Sequence, residues 1–143
     1  MKIKQLSIFV ENRTGRLAEI TEILTSRQVD IRALSLADTS DFGILRLIVN
    51  NPDTACAALL EGGVMVRTTE VLAVSMADEP GGFSRTVGVL SDAGVGIEYL
   101  YAFVSRKGGE AVIILRADDS DKAIEVLGGS GIRLLDPHEG YHL

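Results

Sequence analysis

Two short segments of this chain carry residues that could hold a small molecule. They are Asn12-Arg13-Thr14-Gly15-Arg16-Leu17 and Asp78-Glu79-Pro80-Gly81-Gly82-Phe83. In each, a glycine stands just before a stretch with helical apolar spacing. Such a glycine lets backbone approach a guest closely, and the first helical N–H groups are left pointing outward. Those groups, with the positive end of the helix, suit a carboxylate. Val29-Asp30-Ile31 and Val95-Gly96-Ile97 open the strand that follows each helix. A carboxylate such as Asp30 there suits an ammonium group. Together the two features describe a pocket for a zwitterion, that is, a free amino acid. Asn12 offers a donor and acceptors and Asp30 a charge, a pair that Asp78 and Gly96 do not supply, so the first turn is the favoured site. The plainer reading is that these glycines only make turns.

Little else suggests reactive chemistry. His138 and His142 are the only histidines, and both lie in the final DPHEGYHL segment with Asp136 and Glu139. That segment reads as a solvated, loosely held tail rather than a metal site. Cys56, the single cysteine, falls on an apolar helix face and reads as a small core residue. There is no phosphate-binding G-x-x-x-x-G-K-[ST] run, no G-x-S-x-G elbow and no zinc-type Cys spacing. No catalytic residues, metal or cofactor are therefore expected, and the chain does not read as an enzyme.

The elements that position the two turns repeat. At an offset of 66 (Gly15 to Gly81), Leu17 meets Phe83, Leu24 meets Leu90 and Ile31 meets Ile97. At an offset of 68 (Asp53 to Asp121), Ala55 meets Ala123 and Leu59 meets Leu127. The apolar register repeats while the charged surface does not, which is the mark of two copies of one packed unit. In the first copy, strands are expected at Ile3 to Val10, Gln28 to Asp38, Phe42 to Val49 and Val64 to Thr69. Helices are expected from Leu17, with Ile20, Ile23 and Leu24 on one face, and from Pro52 to Gly62-Gly63. The Phe42 strand is apolar on both faces and so central. Turns are expected at 39–41 and 106–109. The second copy repeats the order, with strands at Val71 to Ala77, Val95 to Ser105, Ala111 to Leu115 and Ile132 to Leu135, and helices at Phe83 to Ala93 and Ser120 to Leu127. Each copy reads βαββαβ. This predicts an α+β protein of two ferredoxin-like units packed side by side, 1–70 and 71–143, with antiparallel sheets and both helices on one face. No linker separates the units, so terminal strands could swap between the sheets.

Composition narrows the function. The chain has 143 residues, 46% of them hydrophobic, and a net charge of −6. An acidic chain with scattered Lys and Arg lacks the footprint for nucleic acid or an anionic membrane. Apolar runs of about seven residues fall far short of the ~20 that span a bilayer. The N-terminus reaches Glu11 too early for a signal-peptide core. With one cysteine, a cytoplasmic protein is expected. Units of about 70 residues are marginal alone and expose sheet edges, so a homodimer is expected.

The segments LSIFVENRTGRLAEITEILTSRQVDI and ADEPGGFSRTVGVLSDAGVGI resemble the signature of the ACT domain: strand, Asn/Asp-x-Pro-Gly-like turn, amphipathic helix, second strand. The likeness spans both repeats, and the chain resembles a stand-alone tandem ACT-domain protein. That resemblance implies a regulatory, allosteric module that binds amino acids where adjacent ACT units meet. ENRTG resembles the serine-sensing turn of phosphoglycerate dehydrogenase, and by that likeness Asn12 and Asp30 hold the ligand. Val10 stands where that family has a histidine, which puts serine itself in doubt. The second-copy equivalents are Asp78 and Gly96, so the two sites differ. Two functions stay open. One is a sensor of a free amino acid that regulates an enzyme of amino-acid metabolism. The other is a ligand-free module that dimerises or docks onto a partner enzyme.

Overall fold

The computed structural model describes residues 1–38, 41–104 and 108–143. The expected turn residues Thr39 and Ser40, and those at 105–107, lie outside the described residues. The elements are β1 (Ile3–Glu11), α1 (Arg16–Ser26), β2 (Ile31–Asp38), β3 (Phe42–Val49), α2 (Pro52–Glu61) and β4 (Val66–Ala77). They continue as α3 (Gly82–Asp92), β5 (Ile97–Val104), β6 (Glu110–Ala117), α4 (Ser120–Gly129), β7 (Arg133–Leu134) and α5 (Pro137–Tyr141). This is βαββαβ twice, with β4 serving as the last strand of one unit and the first of the next.

One unit comprises Lys4–Thr69 with Tyr141–Leu143, the other Glu70–Gly140 with Met1–Ile3. In the first, the strand order is β2-β3-β1-β4, with β3 central as its two-sided apolar pattern requires. Leu6, Ile8, Val10, Leu45, Leu47 and Val49 line one face of that sheet, and Ile20 and Leu24 of α1 and Ala55 and Leu59 of α2 close over them. Of the expected α1 face, Ile23 is partly buried and Leu17 stays 40% exposed. Cys56 packs against the edge of this core.

In the second unit the order is β5-β6-β4-β7. Leu72, Val74, Ile113 and Leu115 lie under Leu90, Ala123 and Leu127. The two units share even an irregularity: the β2–β3 register shifts between Ile31 and Ala33, and the β5–β6 register between Ile97 and Tyr99.

Two expectations need correction. The 136–143 tail is not loose. Asp136 and Glu139 exchange backbone-to-carboxylate hydrogen bonds of 2.9 and 2.8 Å, which caps α5 at its start. Gly140 is buried against Ile3, and Tyr141 Oη accepts from Lys4 N at 2.8 Å. The second strand begins at Ile31 rather than Gln28, because Gln28 ends α1. Its φ is +56°, its N–H donates to Thr25 O, and Val29 N donates to Leu24 O.

Glycines Gly63, Gly94 and Gly131 hold the matching left-handed position after the other three long helices. A side chain in that conformation is strained. Gln28→Gly is therefore expected to raise stability by about 0.5–1 kcal/mol, the helix-end gain less the added freedom of the unfolded chain. A urea midpoint that moves up at constant slope would show it.

Candidate functional site

Both expected turns form, and they are built alike. β1 ends at Glu11, Arg13 N donates to Glu11 O at 2.8 Å, and Gly15 takes φ +89° before α1. β4 ends at Ala77, Gly82 N donates to Glu79 O at 3.1 Å, and Gly81 takes φ +92° before α3. Neither helix has a side-chain cap. The other two long helices do: Asn51 accepts from Thr54 N and Asp119 from Lys122 N. In each turn the first helical N–H is spent inside the turn, Arg16 N on Arg13 O and Gly82 N on Glu79 O, and no side chain caps the N–H groups that follow, which face an outside acceptor. The glycines are there for their dihedral angles. A Cβ on Gly15 or Gly81 would meet nothing within 4 Å.

Charge separates the two turns. Arg13 grips Glu19 through two hydrogen bonds of 3.2 and 2.9 Å, and Arg16 reaches Glu11 at 2.6 Å and Glu19 at 3.1 Å. Hydrogen bonds from Arg13 and then Arg16 hold the Glu19 carboxyl below the usual range. The arginines of the first turn are thus committed to the unit's own acids. An open cleft of about 430 Å³ beside this turn is lined by Asn12, Arg13, Gly15 and Leu17 with Leu36 and Asp38. Thr14 is exposed on the turn.

A second cleft, of about 420 Å³, lies beside the other turn. Glu79, Pro80, Gly81 and Gly82 form one wall, and Ser75, Arg85, Glu110 and Arg133 bring polar groups to it. Asp78 is tied back by its N–H to Gly109 O at 2.9 Å, and Phe83 is 48% exposed on α3.

Asp30 and Ile97 do not sit with their own turns. β2 runs antiparallel to β3, so its end, Asp38, lies opposite Gly43, next to the first turn, while Ile31 lies opposite Val49. Asp30 is the length of β2 away, roughly 26 Å at ~3.3 Å per residue. The expected pairing of Asn12 and Asp30 in one pocket of one unit is therefore not made. Asp30 instead closes the ladder: its N–H donates to Asn50 Oδ1 at 2.9 Å, Asn50 N donates back at 3.1 Å, and Arg32 reaches its carboxylate at 2.6 Å. Ile31 packs on the core. Gly96 and Asp118 repeat that clasp, at 3.0 Å in both directions, in front of Ile97. Sequence reasoning missed Ser75, Arg85, Glu110 and Arg133.

Among the described residues no group of His, Cys, Asp and Glu could hold a metal ion, and no helix is long and apolar enough to cross a membrane.

Two ferredoxin-like units, each with a glycine turn and an uncapped helix beside an open cleft, define a paired α+β module. The model of the ACT domain pair family matches residues 1–137, and the chain belongs to that family. Its structure is similar to that of protein BT0572 from Bacteroides thetaiotaomicron, with 42% identity over 100% of this chain and 98% of that one and a TM-score of 0.96. The regulatory subunit of aspartate kinase from Thermus thermophilus shares the fold at 13% identity, over 89% of this chain and 91% of that one, with a TM-score of 0.62. So does aspartate kinase from Synechocystis, at 21% identity and a TM-score of 0.62, over 94% of this chain and 26% of that one. No curated protein matches the chain.

Proposed function

We propose that this ACT domain pair is a non-enzymatic, cytoplasmic regulatory protein that senses a free amino acid and passes its occupancy to an enzyme of amino-acid metabolism. The two ACT units are taken as 1–70 and 71–143, and the working form as a homodimer. One observation carries the reading. Of the four long helices, the two that follow a left-handed glycine at the end of a unit's first strand lack a side-chain cap and face a cleft. A ligand carboxylate completes such a helix end. The fold shared with the aspartate kinase regulatory subunit agrees with a regulatory role for this chain.

The test is a thermal-shift screen against the twenty amino acids. A ligand at a hundredfold excess over its Kd adds about 2.7 kcal/mol of apparent stability. At least one amino acid is expected to raise the midpoint clearly, and none doing so would sink the reading.

The second reading, a ligand-free docking or dimerisation module, is favoured by a different observation. On outer strand β2, Leu34 is 60% and Leu36 50% exposed, and Leu36 lines one cleft with Leu17 of α1. Light scattering at micromolar concentration tests the dimer. Twice 15.3 kDa is expected, and a clean monomer mass would refute it.

A further inference from the structure

The repeat that makes the two units alike also shows where they have diverged. Ala77 pairs with Glu110 as Glu11 pairs with Phe42. Ser75 pairs with Arg133 as Phe9, through its N–H, meets Met65 O. Arg85 N donates to Gly81 O as Glu19 N donates to Gly15 O. Four structurally equivalent positions therefore read Phe9, Phe42, Met65 and Glu19 in the first unit, and Ser75, Glu110, Arg133 and Arg85 in the second. Each change is from apolar to polar, or from acid to base.

In the first unit the two phenylalanines stack edge to face, with centroids 5.5 Å apart and planes at 64°. They offer no carboxylate to an ammonium group. Glu19 stands in the first turn of α1 and already answers the positive helix end. Glu11 and Asp38 line that cleft with one arginine, Arg13, which is already paired with Glu19, so the cleft opposes a carboxylate.

The second cleft carries two acids, Glu79 and Glu110, but also two arginines, Arg85 and Arg133. α3 has no acid in its first turn, and Arg85 occupies the place of Glu19. Arg85 Nη2 donates to Ser130 O at 3.2 Å, so it is held at the cleft by a neutral carbonyl rather than by a carboxylate. Ser75, 5% exposed, donates to Glu110 at 3.1 Å. Arg133 lies 3.9 Å from the same carboxylate and pairs with Glu139. A buried hydroxyl thus holds a carboxylate that lines the cleft together with Arg85, Arg133 and the start of an uncapped helix.

We propose that this cleft, wholly inside the second unit, is an α-amino-acid site in which Glu110 receives the ammonium group and Arg85 with the start of α3 receives the carboxylate. Ser75 and Arg133 are positioning residues for Glu110, and Met76 and Ile132 wall the ligand's side chain. The proposal rests on the amino-acid reading above and reverses the preference for Asn12 and Asp30 drawn from the sequence. The first unit then keeps the turn but not the ligand.

The experiment is amide NMR on the full chain, titrated singly with each of the twenty L-amino acids to millimolar concentration. At least one is expected to shift amides at 79, 81–85, 110 and 131–133. The same compound without its carboxylate, and the same compound without its amino group, should each bind at least about tenfold more weakly, because each leaves a charged partner unmatched. Glu110→Gln and Arg85→Gln should each weaken binding by a similar factor, with the rest of the spectrum unchanged as proof of folding. Phe42→Leu should leave affinity unchanged. Shifts confined to 12–17, or full affinity in Arg85→Gln, would overturn the proposal and leave amino-acid sensing standing. No response to any amino acid would overturn both.

Discussion

Gly82→Ala is expected to destabilise the protein by about 1–3 kcal/mol, the usual cost of forcing an extra methyl into filled space, and to weaken any ligand at the second turn. A Cβ on Gly82 would lie 2.3 Å from Ala77 O. That atom is backbone at the end of β4, so the clash is relieved only by moving the strand end or the start of α3. Either movement displaces Gly81 and Arg85 from the cleft. The equivalent residue in the first unit is Arg16, whose side chain fits, so α3 starts closer to its strand than α1 does. Urea unfolding measures the loss. An unchanged midpoint would mean that the strand end gives way freely and that the close approach has no energetic weight.

Leu59→Ala and Leu127→Ala should each cost about 2–5 kcal/mol. The two residues occupy equivalent places on α2 and α4, both fully buried against their sheets. Truncation removes apolar contact and leaves a cavity that two helices and a sheet cannot close. Leu60→Ala is the control, since Leu60 is 59% exposed. It should stay within about 0.5 kcal/mol of the parent. Comparable losses at Leu59 and Leu60 would contradict the burial assigned to α2.

The same residues show what was legible beforehand. Leu59 and Leu127 fall in register through the repeat, and helical periodicity places them on the buried face, so both cores could be read without coordinates. The glycine turns were legible for a similar reason: the residue before a helix that must turn left-handed is a glycine in both copies. Asp30 is misplaced because the crossover's consequence is not carried through to it: strands joined through a helix run parallel, so β2 starts at the end of the sheet opposite the turn. The antiparallel register with β3 shows it, with Asp30 at the far end of β2. Gln28 was missed because a non-glycine helix end has no compositional mark. The polar cleft escaped because Ser75, Glu110 and Arg133 are brought together only by strand register. Its signal was present all the same, in the positions where one copy writes Phe, Phe and Met and the other writes Ser, Glu and Arg.

Two exchanged three-residue segments bear on how the units fold. Met1–Ile3 belong with Glu70–Gly140, and Tyr141–Leu143 with Lys4–Thr69. The hydrogen bond from Lys4 N to Tyr141 Oη spans 137 residues. Each unit is therefore closed by three residues that lie, along the chain, on the far side of the other unit. Neither unit has all of its contacts without the other's stretch of chain, so the two are expected to unfold in one cooperative transition rather than one after the other.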